Sequence, residues 1–194
     1  KNEPFDSIEG LAFRRNGQVV LTKPRKPVDN LDIFPFPARH LLKSMDLYTP
    51  PPMNYKRKPV VNMITSRGCS FHCSFCDQSI FGHLYRYHSA KRVADEMEHV
   101  VKEYGAKEIS IVDDNFTINK DRVIGICDEI IKRKIKVNWN ARLHVNTVTR
   151  ELLEKMRNAG CWYLEFGVES GTQEILNFIK KYSRIEHIRE VAQW

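Results

Sequence analysis

Apolar positions along residues 60–194 follow two alternating patterns. Short apolar runs occur at residues 60–65, 109–112, 135–139 and 161–168. The stretches between them carry apolar residues three or four positions apart, which is the spacing of one helix face. Strands and helices that alternate with short connections predict a parallel sheet covered by helices. We therefore expect residues 60–194 to form about four βα units.

Capping residues mark where the helices begin and end. Ser89 and Asn119 are suitable N-caps for the first two helices, and Gly105 is a suitable stop for the first. The other helices are predicted at residues 149–158, 172–180 and 183–194, the last with Ser183 as its cap. The second helix is expected to bury a face formed by Val123, Cys127, Ile130 and Ile131.

The first 59 residues have a different pattern. Apolar positions on both sides of Asn16-Gly17 predict a β-hairpin over residues 8–22, because Asn-Gly is a strong two-residue turn signal. Two strands alone are marginal in water, so we expect this hairpin to pack on another part of the protein. Prolines are dense over residues 24–59, which favours extended backbone and leaves room for one short helix at residues 38–45.

Polar residues follow each predicted strand. The clustered cysteines come after the first strand, Asp-Asp-Asn at residues 113–115 after the second, Arg142 after the third and Glu169 after the fourth. The carboxyl ends of parallel strands meet at one edge of a barrel, which is where such folds carry functional residues. The sequence therefore predicts an α/β fold, a partial (βα) barrel truncated after about four units, with one shared cleft.

Three of the five cysteines fall within eight residues: Cys69, Cys73 and Cys76. Such clustering indicates metal ligation. A closed zinc site or a fully protein-ligated cubane uses four ligands, so three thiolates either recruit a fourth residue or leave one metal position open. The nearby histidines could complete a zinc site in a binding module, and this alternative stays open at this point: His72, His83 and His88.

Composition narrows the function class. The chain has 194 residues, of which 42% are hydrophobic and 28% charged, and this is ordinary globular composition for one domain. The net charge of +7 comes from basic residues dispersed among nearly as many acids, so nucleic acid is not the expected partner. The odd cysteine count favours a reducing compartment, and Cys127 and Cys161 fall on predicted apolar faces as small buried hydrophobes.

Two further features concern location and completeness. The sequence has no apolar run long enough to cross a membrane and no signal-peptide layout at its start, so we expect a cytoplasmic protein without a membrane partner. Lys1 stands where a complete chain would begin with Met, so we expect the sequence to be a piece of a longer protein.

The cysteine pattern resembles a known family. Cys69-x-x-x-Cys73-x-x-Cys76 on the loop after the first strand, with Phe75 before the last cysteine, is similar to the radical S-adenosylmethionine superfamily, and the resemblance covers residues 60–182. It implies that the three thiolates hold a 4Fe-4S cluster whose open iron binds S-adenosylmethionine, and that reductive cleavage releases a 5′-deoxyadenosyl radical. It also implies a small-molecule substrate and an electron donor such as a flavodoxin or ferredoxin.

The resemblance assigns roles to other positions. It implies that Phe75 lies against the adenine and that Arg142 pairs with the carboxylate of the cofactor's methionine part. Residues Asp113, Asp114 and Asn115 match the segment near the methionine moiety, where many relatives have a glycine-rich motif instead. Glu169, within Gly167-x-Glu169-Ser170-Gly171, matches a segment that contacts the ribose or the ammonium group.

Residues 8–15 and 31–39 indicate a branch of the family. They resemble the connector between a cobalamin-binding domain and the radical domain in the branch that includes anaerobic magnesium-protoporphyrin ester cyclase. This implies that residues 1–59 are a hairpin and connector from a missing N-terminal domain, which would bind cobalamin. Residues 60–194 would be the first part of the barrel and would be inactive alone. An oxidoreductase or a methyltransferase is expected, with an RNA-modifying methylthiotransferase-like enzyme as a further alternative.

Overall fold

The computed structural model describes residues 4–194. The predicted hairpin is confirmed: β1 (Ala12–Arg15) and β2 (Gln18–Leu21) pair in antiparallel register. Asn16 and Gly17 form its turn with φ angles of 52° and 81°, the left-handed backbone that a two-residue hairpin turn requires. Val19 and Leu21 remain 64% and 74% exposed, so the described residues leave these two apolar side chains of the hairpin largely uncovered.

The remaining strands and helices follow in the predicted alternating order, except for two unpredicted two-residue strands on either side of the cysteine loop. They are β3 (Val60–Met63), β4 (Ser66–Arg67), β5 (Arg86–Tyr87), α1 (Ala90–Tyr104), β6 (Glu108–Ile111), α2 (Lys120–Arg133), β7 (Asn138–Leu143), α3 (Arg150–Asn158), β8 (Cys161–Phe166), α4 (Gln173–Phe178) and α5 (Ile185–Gln193). Strands β3, β6, β7 and β8 form one parallel sheet in that order. This confirms the four βα units and the fold class.

The connector is bound to this sheet rather than extended away from it. The predicted helix at residues 38–45 is wrong: two short 3-10 turns, Arg39–Leu41 and Met45–Tyr48, are separated by extended backbone at Leu42. Ser44 accepts a hydrogen bond from the Asp46 amide and so starts the second turn separately. Arg39 is buried and donates to Glu96 of α1 at 2.6 Å.

The last part of the connector covers the inner side of the sheet near its amino end. The amide of Lys56 donates to Glu108 Oε2 at 3.1 Å, and Asn140 Nδ2 donates to the carbonyl of Asn54 at 2.9 Å. The Lys56 ammonium also lies 4.5 Å from the ring centroid of Trp162, whose indole N–H donates to Glu108. Glu108 is fully buried, so these donors replace its hydration.

Two further element boundaries and one helix face differ from the prediction. Strand β7, the third predicted strand, begins at Asn138 rather than Ile135. The reason is that α2 ends in a left-handed residue, Lys134, and the amide of Ile135 still donates to the carbonyl of Ile130. On α2, Ile131 was predicted on the buried face but is 47% exposed. Ile126, which was not predicted there, is buried in the core instead. Ser183 is buried one residue before Arg184, the actual N-cap of α5.

The core lies between the sheet and the helices α1, α2 and α3. As predicted, Ser89 and Asn119 cap α1 and α2 with side-chain oxygens, and Gly105 ends α1 in the left-handed conformation. Thr149, predicted as the first residue of α3, is its N-cap. Cys127 and Cys161 lie in this core, which confirms their prediction as buried residues. Over residues 4–194, none of the helices combines the length and apolarity needed to span a bilayer.

Candidate active site

A cleft of about 420 Å³ opens at the carboxyl edge of the parallel sheet. The cysteine loop forms one wall, and the ends of β6, β7 and β8 form the other. All nine side chains proposed from the sequence for metal or cofactor binding line it: Cys69, Cys73, Phe75, Cys76, Asp113, Asp114, Asn115, Arg142 and Glu169. The sheet therefore brings together the four polar strand ends that are separated along the sequence.

The loop that carries the cysteines closes on a short two-stranded neck. Strands β4 and β5 pair antiparallel, Ser66 with Tyr87 and Arg67 with Arg86, and the cysteines lie between them. Gly68 begins the loop with a φ of 84°, and a Cβ there would lie 2.4 Å from the carbonyl oxygen of Leu84. Only glycine fits this close approach of the two limbs.

Contacts at its centre hold the loop against the rest of the domain. The Ser74 amide donates to the carbonyl of Ile179 at 2.9 Å. The Phe71 ring stacks on His144 at a centroid distance of 4.0 Å, and Gln78 Nε2 donates to the Phe71 carbonyl at 2.9 Å. These contacts place the loop beside the carboxyl end of β7 and the end of α4.

The three thiols differ in exposure. Cys69 and Cys73 are partly buried and Cys76 is exposed. Burial raises the pKa of the Cys69 and Cys73 thiols, and the Lys181 ammonium opposes this rise at Cys73. Metal binding replaces the thiol protons, so the same burial that disfavours free thiolates favours their neutralisation by a cation.

The nearby histidines are not placed to give the three thiols the fourth ligand of a closed zinc site. Within residues 4–194, no three histidine, cysteine or carboxylate side chains are arranged to hold a single metal ion. His72 and His83 stack on each other at 3.9 Å, and His88 contacts Asp32 at 3.2 Å. None of these histidines lines the cleft.

Two side chains of the cleft wall have buried atoms without a hydrogen-bond partner among the described residues. They are the Nδ2 donor of Asn115 and the Oε1 acceptor of Gln78. Buried polar atoms are usually paired, so an unpaired donor and acceptor in one cleft suit a polar ligand. A cofactor with amino, carboxylate and hydroxyl groups is a ligand of this kind.

The two aspartates that follow β6 have different hydrogen-bond partners. Asp113 is buried and accepts from the Thr65 amide at 2.5 Å, from Thr65 Oγ1 at 2.5 Å and from Ser66 Oγ at 2.7 Å. Burial raises the pKa of Asp113, against the lowering effect of Arg122. Asp114 accepts from the Gly68 amide at 3.2 Å. Asp113 is therefore occupied by the loop neck, and Asp114 is the more available carboxylate.

Arg142 lies within β7, near its carboxyl end, rather than after the strand as predicted. Its Nε atom is 3.2 Å from a carboxylate oxygen of Glu165 on β8, and both side chains are about half exposed. The strand register places these two residues side by side. Within residues 4–194, Glu165 is the carboxylate that pairs with this guanidinium, and the half-exposed group can also bind a second anion.

The fourth strand end carries a second ion pair. Lys181 is buried, and its ammonium lies 3.2 Å from Glu169 Oε1 and 5.9 Å from the ring centroid of Phe75. A Cβ at Gly167 would lie 2.5 Å from that carboxylate oxygen, so the glycine makes room for it. Burial and the nearby Lys181 lower the pKa of His144 to about 4, which keeps this histidine neutral at pH 7.

The sequence interpretation missed several polar cleft residues, among them Gln78, His144, Glu165 and Lys181. Glu165 had a weak signal, because a charged residue inside an apolar strand points away from the helices. Lys181 is adjacent to Lys180 after a short helix, and no pattern showed which of the two turns inward.

The fold and cleft define a parallel βα half-barrel with a three-thiol loop at its carboxyl edge. The model of the radical SAM superfamily matches residues 63–194. The chain therefore belongs to the radical SAM superfamily, which uses a 4Fe-4S cluster and S-adenosylmethionine. This confirms the family resemblance inferred from the cysteine pattern and does not support a zinc-binding module.

Two curated relatives cover almost the whole chain. An uncharacterized methyltransferase of Pyrococcus horikoshii is 38% identical over 93% of this chain and 38% of its own length. The anaerobic magnesium-protoporphyrin IX monomethyl ester cyclase of Rubrivivax gelatinosus is 33% identical over 96% of this chain and 33% of its own length. The chain thus spans between a third and two fifths of the length of these relatives.

Two solved structures share the fold. The cobalamin-dependent S-adenosylmethionine radical enzyme OxsB, with aqua-cobalamin and S-adenosylmethionine bound, superposes with a TM-score of 0.77 at 20% identity, over 95% of this chain and 27% of OxsB. The radical S-adenosylmethionine methyltransferase TsrM from Kitasatospora setae gives 0.62 at 19% identity, over 69% of this chain and 28% of TsrM. At these identities the likeness concerns the fold.

Proposed function

We propose that the protein is a radical SAM enzyme whose 4Fe-4S cluster is held by Cys69, Cys73 and Cys76. The observation that carries this proposal is the convergence of the three thiols with the polar ends of the other three parallel strands in one cleft. When bound, the cluster and S-adenosylmethionine would supply one-electron cleavage of a carbon–sulfur bond to give a radical. The protein contributes binding, orientation and electrostatics.

The cleft offers complementary groups for each part of the cofactor. Phe75 presents a ring that is 55% exposed, which suits stacking on adenine. The Arg142 guanidinium suits a carboxylate, and Asp114 and Asn115 suit the ammonium and other polar groups of the methionine part. Glu169, held by Lys181, suits the ribose hydroxyls. Asp113 would contribute indirectly, by holding the neck of the cysteine loop through its bonds to Thr65 and Ser66.

The relatives support a choice between two reaction classes. One is named a methyltransferase and the other an ester cyclase, so we propose a methyltransferase or an oxidoreductase acting on a small molecule. We further propose that cobalamin is bound by a domain upstream of residues 1–59, the hairpin and connector, with residues 60–194 as the first part of the barrel. The electron donor would be a flavodoxin or ferredoxin, and the location cytoplasmic.

Anaerobic reconstitution with iron and sulfide tests this function. We expect about four irons per chain and a brown chromophore. After reduction, adding S-adenosylmethionine should change the electron paramagnetic resonance spectrum of the cluster, because the cofactor binds the open iron. One tightly bound zinc, no iron–sulfur absorption and no response to S-adenosylmethionine would overturn the proposal.

A further inference from the structure

Arg122 of α2 is buried, yet it bonds to both limbs of the neck below the cysteine loop. Its Nη2 atom donates to the Thr65 carbonyl at 2.8 Å and to Thr65 Oγ1 at 2.7 Å. Its Nε atom donates to the His88 carbonyl at 2.7 Å. Thr65 precedes β4 and His88 follows β5, so one guanidinium spans the entry and the exit of the loop.

Asp113 holds the same neck from the end of β6. Thr65 donates to it from both its amide and its hydroxyl, and Ser66 donates from its hydroxyl. The Thr65 hydroxyl therefore donates to Asp113 while it accepts from Arg122. The His88 amide closes the neck by donating to the Thr65 carbonyl at 2.9 Å. We call Arg122, Thr65 and Asp113 the clasp.

The surroundings of Arg122 restrict its position. Its guanidinium carbon lies 5.5 Å from the ring centroid of Tyr87 and 5.6 Å from that of Phe116. Over residues 4–194, Arg122 forms no ion pair with a carboxylate; its Nη1 atom lies 3.4 Å from the Tyr85 hydroxyl, and its shorter bonds go to the neck. A planar fork with several donors is suited to bridging fixed acceptors, which a lysine ammonium does less well.

Another arginine of the same helix shows what a purely structural role looks like. Arg133, near the end of α2, bonds to Asp95 at 2.6 Å, to Glu98 at 3.4 Å and to Glu129, and its side chain is 19% exposed. These contacts join α1 to α2 on the outer side of the fold. Over residues 4–194, Arg133 forms no hydrogen bond or ion pair with the loop or its neck.

We propose that Arg122 is a positioning residue: through the clasp it fixes the neck, and the fixed neck sets the spacing of the three thiols. The role in holding iron rests on the proposed function, whereas the role in fixing the neck does not. Arg122 is distant in sequence from the cysteines, and its role follows from the bonds that it makes to Thr65 and His88.

Two measurements on Arg122→Met, Arg122→Lys and the control Arg133→Met test the proposal. In iron-free protein, hydrogen exchange reports the amides of Thr65 and His88. Compared with the wild-type protein, we expect these amides to exchange at least tenfold faster in Arg122→Met and by a smaller factor in Arg122→Lys. In Arg133→Met the increase should not exceed about twofold. In reconstituted protein, iron release to an excess chelator should follow the same order. Circular dichroism and thermal unfolding verify that each variant is folded.

The outcomes separate the two proposals. Suppose that the wild-type protein binds about four irons, and that Arg122→Met equals Arg133→Met both in protection of the neck amides and in iron retention. The positioning role is then wrong, and the proposed function stands. If the wild-type protein binds no cluster, the proposed function fails, and the exchange rates still decide whether Arg122 fixes the neck. If Arg122→Met does not fold, Arg122→Lys carries the test: neck exchange equal to wild type contradicts the clasp.

Discussion

The five cysteines of this chain occupy two kinds of surroundings. Cys127 and Cys161 lie in the apolar core between the sheet and the helices, and burial raises the pKa of Cys127 to about 12. Burial raises the pKa of Cys161 as well. The other three cysteines lie on a loop at the carboxyl edge of the sheet, beside an open cleft.

This difference shows that position in the fold, rather than residue type, decides the chemistry of a thiol. A core cysteine has no ligand space next to it, and ionisation would leave a charge in an apolar environment. A loop cysteine beside the cleft can exchange its proton for a metal ion. The comparison can be tested by giving both sets of cysteines the same reagent or the same substitution and measuring the difference in alkylation rate or in iron content.

The largest divergence should appear in thiol alkylation. In iron-free protein at pH 8, we expect iodoacetamide to modify Cys76 first, then Cys69 and Cys73. At this pH a thiol with a pKa of about 12 has roughly a thousandfold less thiolate than one near 9, and burial of Cys127 and Cys161 slows the reaction further. Mass spectrometry of peptides measures each rate. Rapid labelling of Cys127 in folded protein would contradict the comparison.

Removal of single thiols should separate the sets next. Cys69→Ala, Cys73→Ala or Cys76→Ala should lower the iron content after reconstitution from about four to below about one per chain, because each removes a cluster ligand. Cys127→Ala is the matched control and should keep its iron. The measurement is iron per chain together with the visible spectrum. Equal iron loss in all four variants would remove the distinction.

The loop itself can be changed without touching a thiol. In Gly68→Ala, the new Cβ would meet the Leu84 carbonyl and hold a strained φ, at a cost of about 1–3 kcal/mol. We expect several-fold faster iron release from the reconstituted protein. Gly171→Ala is the control, since its Cβ would meet nothing within 4 Å. Similar release rates in the two variants would show that the closed neck is unimportant.

The smallest effect concerns stability and pH. Cys127→Ala should lower the free energy of unfolding by about 1 kcal/mol at pH 7, because it leaves a small cavity. The folded thiol has a pKa of about 12 against 9.0 for an ordinary thiol, so the stability that it contributes falls as pH rises above about 9. The difference between wild type and variant should therefore shrink towards pH 10, as measured by urea unfolding. A constant difference would contradict the raised pKa.

Local patterns predicted most of the fold. The caps at Ser89 and Asn119 and the turn at Asn16-Gly17 act through bonds within a few residues, so the sequence shows them directly. The start of β7 was mispredicted because it depends on how α2 ends, and no glycine or asparagine marks the left-handed residue at that end. The neck strands β4 and β5 are two residues each, too short for any periodicity, and they pair across the whole cysteine loop.

The candidate site was predictable as a set of residues but not as a set of contacts. Strand ends place the nine predicted side chains in one cleft, since parallel strands share an edge. The orientation of Asp113 towards Thr65, and the inward turn of Lys181, follow from tertiary contacts between distant segments. The family resemblance supplied ligand roles that spacing alone left open.

The bonds between the connector and the inner side of the sheet bear on how such a domain can be moved between proteins. A gene fusion that joined a foreign segment directly to Val60 would remove the Lys56 amide from Glu108, a fully buried carboxylate, and the Asn54 carbonyl from Asn140. Leaving a buried acceptor unpaired costs about 1–3 kcal/mol, more for a charged one. The transferable unit therefore begins upstream of the first barrel strand, and chimaeras should carry the connector with the barrel.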